Sequence, residues 1–464
     1  VLQQISPKQI STFGAIAFAV ALAFYTPAFL TPIQASTFGV VLVTLVLWGT
    51  GEMPNYVPAM IFFAGTLILG LAPTELVFSG FGSAAVWLVI SGFVIGSAIK
   101  LSGLGDRLAK TVSPVLSSSY PTMIGGLMLL SMALGFLMPS SIGRSVALVP
   151  IGMALADRCG FQRGSNGRIG IAVTLAIGCN MPSFAILPSN IPNIILTGSA
   201  ETIYGSHFSY MEYFLLHYPV LGILKSLIAF ALVLAIFPAK VTVKSSSNIV
   251  AVGPSGRTPL REAYVAFVLF CTLILWATDN IHGINPAWIG LGTAIVFLLP
   301  KIGVVSPPEF KASADFGTVL FVAGALALGA VVNQSGLGNI AGHFLQEVLP
   351  LKPGQGLLNF ASLSLMSFVT GLFTTIPGVP TVLTPIARDL ANVSGLDLKT
   401  VLMTQVVGFS TVLLPYQVAP LVVAMQLSGE KLGSLVKVCV PLAIITLIAL
   451  VPVDYAWWSL LGRI

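Results

Sequence analysis

Arg144 is the only charged residue between Pro121 and Ala156, where it follows Met138-Pro139-Ser140-Ser141-Ile142-Gly143 in an otherwise apolar stretch. A guanidinium at membrane depth is costly unless it meets water, carbonyls or an anion. Its planar fork suits a carboxylate, sulfonate or sulfate. Three other groups have types and spacing suited to ligand work. Ser189, Asn190 and Asn193 stand among prolines; Thr374, Thr375, Ile376, Pro377, Gly378 and Thr381 form a second polar centre; Tyr416, Gln417, Ala419 and Pro420 interrupt a later apolar run. Hydroxyl, amide and carbonyl oxygens without a carboxylate are the makings of a weak cation site in a carrier. The chemistry expected is therefore binding. No HExxH cluster, paired carboxylate or Ser/His and Ser/Lys constellation is present in the spans, and the four cysteines and four histidines are scattered. Neither an enzyme nor a transition-metal site nor a disulfide framework is expected.

The elements that position these residues must be membrane spans. The 464 residues are 56% hydrophobic and 8% charged, whereas a soluble domain carries about 25% charged residues. The fold class expected is an all-α polytopic membrane protein, with about 11 transmembrane helices plus two re-entrant helical hairpins in two inverted repeats. Apolar runs place spans near 12–31, 35–50, 55–73, 83–100, 168–187, 213–238, 261–279, 286–300, 316–334, 400–427 and 434–455. The stretches 121–156 and 355–392 each have two apolar arms around a Pro, Gly, Ser or Thr-rich centre and fit hairpins that enter the membrane and return.

Charge supports that topology. With the N-terminus inside and both hairpins re-entrant, loops holding Lys8, Lys100, Arg107, Arg158, Arg163, Arg168, Lys240, Arg261, Lys301 and Lys431 fall inside, leaving Lys352, Arg388, Lys399 and Arg463 outside. This is the positive-inside bias, and it predicts a multi-pass inner-membrane protein with a cytoplasmic N-terminus. The net charge of +6 comes from such loops rather than from a basic stripe interleaved with aromatics, so no nucleic-acid partner is expected. Val1 to Ser11 lack the features of a removed signal peptide. Around Asp106, Arg107 and Lys110 the pattern predicts an amphipathic surface helix, and 239–261 is the long polar linker. Lys225 lies inside an expected scaffold span, as a snorkelling residue or a subunit contact without an assigned role.

The two halves repeat. Ser102-Gly103-Leu104-Gly105 returns as Ser335-Gly336-Leu337-Gly338, Pro150-Ile151 as Pro385-Ile386, and Leu187-Pro188-Ser189-Asn190 corresponds to Leu414-Pro415-Tyr416-Gln417. Three matches in one order at nearly constant offset mark a duplication, and the opposite entry sides of the hairpins invert it. Inverted repeats with interrupted helices meeting at the midplane are the pattern of secondary transporters. A channel would instead favour a continuous polar pore.

This order of elements resembles the divalent-anion/sodium symporter family, the solute carrier 13 type, over nearly the whole chain. In that family each hairpin tip carries a Ser-Asn-Thr signature holding sodium and substrate carboxylate. Counting back from Pro150 and Pro385 aligns the signatures with Ser140-Ser141-Ile142 and Thr375-Ile376-Pro377, so only the first hydroxyl survives in each. The family's Thr-Pro-Pro-Asn break corresponds to Asn190-Ile191-Pro192-Asn193 and Val418-Ala419-Pro420-Leu421. The chemistry of the residues, Arg144 being a departure from the family's pattern, and the positions the resemblance marks together give expected substrate contacts at Arg144, Ser141, Ile142, Asn190, Asn193, Ile376, Pro377, Thr381, Tyr416, Gln417 and Pro420. The resemblance implies cation contacts at Ser140, Ser141, Gly143, Ser189, Thr374, Thr375, Gly378 and Ala419. It further implies a homodimer, an elevator-like motion and no cofactor beyond sodium as a coupling ion.

The division expected is scaffold helices in 1–120, hairpin and broken helix in 121–212, scaffold with the cytoplasmic linker in 213–354, second hairpin and broken helix in 355–433, and a last helix in 434–464. The function expected is secondary active transport of small organic anions of carboxylate type, sodium-coupled, with Arg144 on the anionic group. A sodium-independent exchanger or a sulfate or sulfonate carrier is the alternative, and an anion channel a remoter one. Plainer roles are also open: Arg144 on helix-end carbonyls, Asn190 and Asn193 as caps, Pro139, Pro377 and Pro380 as kinks.

Overall fold

The structure, a computed structural model, describes residues 7–104, 119–138, 140–241, 259–338, 340 and 349–464. The surface helix expected near Asp106, most of the linker 239–261, Pro139 and His343 lie outside the described residues. Regular structure among the described residues is helical throughout, since in hydrocarbon a backbone must satisfy its own N–H and C=O groups.

The first half comprises α1 (Pro7–Phe24), α2 (Pro32–Thr50), α3 (Tyr56–Ile68) and α4 (Ala84–Ser102), then a hairpin of α5 (Tyr120–Leu137) and α6 (Ser141–Arg158). A broken helix follows as α7 (Asn166–Asn180) and α8 (Ile191–Tyr204), and then α9 (Tyr210–Ile236). The second half runs through α10 (Pro259–Ala277), α11 (Pro286–Leu298), α12 (Phe316–Gln334) and a hairpin of α13 (Gly356–Thr374), α14 (Gly378–Leu383) and α15 (Ala387–Ser394). The second broken helix is α16 (Leu398–Phe409) and α17 (Ala419–Ser428), and α18 (Leu432–Leu460) closes the chain. Nine helices among the described residues are long and apolar enough to cross a membrane by length and composition.

The duplication holds at atomic detail. Gly103 ends α4 at φ 80°, and Gly336 follows α12 at φ 78°, a left-handed conformation that glycine adopts without steric cost. Ser102 Oγ donates to Ile99 O and accepts from Leu104 N (3.3 Å), while Ser335 Oγ donates to Val332 O and accepts from Leu337 N (3.4 Å). Gly178 on α7 and Gly408 on α16 form the second matched pair. A Cβ at Gly178 would lie 2.9 Å from Ser131 Cβ, and one at Gly408 would lie 2.3 Å from Ser367 Cβ. Each hairpin's first arm thus packs directly on its broken helix through a glycine, as small residues allow between membrane helices.

The second pieces of the broken helices cross over. The helix α17 lies against α6 and α7, while α8 lies against α12, α14 and α4. Both hairpin tips and both breaks therefore meet in one region. The helix α9 packs mainly against α5, α7, α18 and the turn at Met181–Ala185. That sequence is apolar on all sides, so its periodicity cannot say which neighbours it faces. Both α9 and α18 contain a π-helical turn, Tyr218–Leu224 immediately before Lys225 and Thr446–Leu450 shortly before Asp454. Such turns commonly accompany functional sites.

Candidate functional site

A cavity of about 1370 Å³ separates the hairpin tips and breaks from α4 and α12, larger than the roughly 300–1,000 Å³ of ordinary small-ligand pockets. It runs from the tips to the end of the molecule that carries Lys100, Arg158 and Glu309. Ser140, Ser141, Ile142, Gly143, Ser189, Asn190, Ile376, Pro377, Ala419 and Pro420 of the expected residues line it. Arg144, Asn193, Thr374, Thr375, Gly378, Thr381, Tyr416 and Gln417 do not.

The first tip is built around Arg144, which is 0% exposed. Its Nε donates to Cys179 O at 2.9 Å, its Nη1 to Met138 O, and its Nη2 to Ser141 Oγ at 2.8 Å and Ser189 O at 3.4 Å. These acceptors are the end of α5, the start of α6, the end of α7 and the break before α8. One guanidinium therefore ties the tip to the interrupted helix with its fork turned into protein. Ser140 caps α6 by accepting from Gly143 N at 3.0 Å. Ser189 Oγ donates to Gly135 O.

Asn190 occupies the N-cap position of α8, but neither asparagine side chain caps the helix. Asn190 Nδ2 donates to Ser183 Oγ (3.0 Å), and Asn193 Nδ2 donates to Ser183 O (3.1 Å) and Ile186 O (2.9 Å). Asn193 Oδ1 and both side-chain atoms of Asn180 are buried without hydrogen-bond partners. Ser183 joins this network and sequence reasoning missed it. Its one signal is the preceding Met181-Pro182, a proline that cannot continue α7.

At the second tip the polar side chains bond mostly to the protein's own backbone. Gln417 Oε1 accepts from Leu413 N (2.9 Å) and Leu414 N (2.8 Å), and its Nε2 donates to Gly371 O (2.9 Å). Its carbonyl accepts from Ile376 N at 3.2 Å. Tyr416 donates its hydroxyl to Leu372 O, Thr374 donates to Thr370 O, and Thr381 Oγ1 is buried without a partner. The surface left to the cavity here is Ile376, Pro377, Val418, Ala419 and Pro420. Thr375 holds the turn at φ 72° and ψ 157°, a region costing about 1–3 kcal/mol for a residue with a Cβ. Thr375→Gly is expected to leave the fold intact and raise stability by about 1 kcal/mol, read as a higher melting midpoint. A lower midpoint would show that the threonine side chain itself is required.

Sodium, which the family resemblance implies, does not fit the first-half oxygens that would hold it. In the first half the guanidinium already holds Met138 O, Ser141 Oγ, Cys179 O and Ser189 O. In the second half Lys225, 2% exposed, donates from Nζ to Ser410 O at 2.7 Å, at the carbonyl end of α16. No cluster of His, Cys, Asp or Glu suited to a metal ion occurs among the described residues.

Comparison with known proteins places the whole chain. The model of the "Sodium:sulfate symporter transmembrane region" matches residues 8–464. A "Membrane protein" of Cupriavidus necator is 23% identical, with 97% of this chain and 92% of the relative covered. The "Sodium-dependent dicarboxylate transporter SdcS" of Staphylococcus saprophyticus is 22% identical over 73% of this chain and 70% of its own. The "Inner membrane protein YbhI" of Escherichia coli is 22% identical, covering 80% of each chain. Among solved structures, the Alcanivorax borkumensis YdaH transporter superposes with a TM-score of 0.53 at 16% identity, over 85% of this chain and 89% of that one.

Proposed function

The chain belongs to the sodium:sulfate symporter family, the divalent-anion/sodium symporters that its order of elements resembles, and on that footing we propose that it carries small organic anions bearing one negative charge. It is a multi-pass membrane transporter. The substrate end proposed is a carboxylate or sulfonate, attached to a less polar remainder.

The observation that carries this reading is the uneven lining of the cavity. The first repeat offers Ser140, Ser141, Ser189 and Asn190, whereas the second offers Ile376, Pro377, Val418, Ala419 and Pro420. The helices α6, α8 and α17 begin at this wall, at Ser141, Ile191 and Ala419. First-turn N–H groups lack intrahelical acceptors, and the helix dipole favours negative charge there. Arg144 stands behind the first tip and raises its potential without touching the cavity. Its proposed role is therefore a fixed positive charge that also fixes the tip, with direct contacts from Ser141, Asn190 and the helix N-termini.

In the transport cycle proposed, the hairpins and broken helices move together with α9 and α18 against α1 to α4 and α10 to α12, and two chains form a dimer. With the N-terminus in the cytoplasm, the cavity of this structure faces inward.

Competition between anions tests the reading. Lactate and benzenesulfonate are expected to raise the melting temperature of the purified protein, with succinate and sulfate weaker by at least about tenfold in half-saturating concentration. A second charge against the apolar wall costs well over the ~1.4 kcal/mol that a factor of ten represents. Succinate binding as tightly as either monoanion would sink the proposal.

A further inference from the structure

The two broken helices end their first pieces in the same electrostatic situation. The last turns of α7 and α16 present carbonyl groups inside the protein, where the dipole leaves a partial negative charge. Cys179 is 0% exposed and Ser410 1%. Each of these helix ends has a covalently attached cation: Arg144 Nε reaches Cys179 O at 2.9 Å, and Lys225 Nζ reaches Ser410 O at 2.7 Å and Ser410 Oγ at 3.5 Å. Arg144 arrives from the hairpin and Lys225 from α9, so different elements supply the same service in the two halves.

We propose that Arg144 and Lys225 are resident cations filling the places of mobile ones at both breaks, and that the protein is consequently a sodium-independent anion exchanger. The inference rests on the monoanion reading above and concerns its coupling. Coupling follows from charge. The acceptors around Arg144 are neutral oxygens, whereas Lys225 lies within electrostatic reach of the buried acid Asp454, 0% exposed, without an ion-pair contact to it. The other buried acids are placed elsewhere: Asp279 accepts from Tyr210 N, and Glu430 pairs with Arg168 at 3.3 Å. With histidines neutral and Lys225 set against Asp454, the buried charge left unmatched among the described residues of the proposed moving unit is that of Arg144.

A mobile cation can leave before the empty carrier returns, but a side chain cannot. The empty unit must take its charge through the membrane, whereas a bound monoanion cancels it. The cost of a lone cation at the bilayer centre slows empty return by about a hundredfold or more. Net uptake is then slow and exchange fast.

The experiment uses the full-length protein in liposomes, with labelled lactate and labelled benzenesulfonate as probes. Uptake is expected to be at least about tenfold faster into vesicles preloaded with the unlabelled anion than into empty ones, and unchanged when choline replaces sodium. Equal rates into empty and preloaded vesicles, or saturable stimulation by sodium, overturn the inference. In detergent, sodium chloride should stabilise the wild type no more than choline chloride does. Arg144→Ala vacates a position ringed by Met138 O, Ser141 Oγ, Cys179 O and Ser189 O, and should acquire a sodium-specific rise in melting temperature. Arg144→Lys should remain indifferent to sodium, which keeps the test decisive should the alanine variant fail to fold. Anions that stabilise the protein while uptake requires sodium remove the exchange inference alone. No stabilisation by any anion removes the monoanion reading as well.

Discussion

Arg144→Met should lower stability by about 3–5 kcal/mol, the cost of removing one member of a buried polar cluster. Methionine keeps much of the side-chain volume, so the loss isolates the hydrogen bonds and the charge. Met138 O, Cys179 O and Ser189 O would lose their side-chain donor together, as would Ser141 Oγ. Leaving a buried acceptor unpaired costs about 1–3 kcal/mol each before relaxation and water recover part of it. Because these acceptors belong to α5, α6, α7 and the break before α8, the tip should also loosen. Fluorimetric melting would show the stability loss, and protection of Ser140 to Ser145 in hydrogen exchange should fall with it. Arg144→Lys keeps the charge and up to three donors but loses the planar fork, so its loss should be smaller. Equal melting of Arg144→Met and wild type would refute the picture of the guanidinium as the tie between hairpin and break.

The second large effect concerns Lys225 and Asp454. Lys225→Met should destabilise by roughly 1–3 kcal/mol, because it leaves the buried Ser410 O without its ammonium donor. Asp454→Asn alone should cost less, since a neutral amide needs no counter-charge. The double variant should be more stable than the sum of its parts by about 1–3 kcal/mol, the usual coupling of charged neighbours. The measurement is a double-mutant cycle on melting midpoints or denaturant resistance in detergent. Strict additivity would show that the two groups do not interact.

The sequence revealed what is local or repeated. Ser102-Gly103-Leu104 and Ser335-Gly336-Leu337 form identical turns because a helix stop of this type is specified within a few residues. Proline and hydroxyl clusters marked both tips for the same reason, since proline cannot stay inside an undisturbed helix. What could not be read was orientation. Arg144 was visible as a charge, but whether its fork faced a solute or protein depended on Cys179 and Ser189, which lie 35 and 45 residues away. Gln417 looked like a ligand residue and is consumed by its own break.

Lys225 was harder still. Its acceptor lies 185 residues away, and nothing in an all-apolar neighbourhood tells which face a lysine occupies. The π-helical turn before it changes the helical phase by an amount no periodicity in that stretch records.

The uneven cavity lining has a directional consequence. On the proposed reading, a solute held by its charged end against the first repeat would keep that pose while the surrounding protein rearranges around it. Seen from the two compartments, it would then enter with opposite ends leading, head first from one and tail first from the other. Arrival and departure would meet different desolvation steps at the two mouths, so one turnover run forwards and one run backwards would be unlike in rate, although the equilibrium they serve is the same.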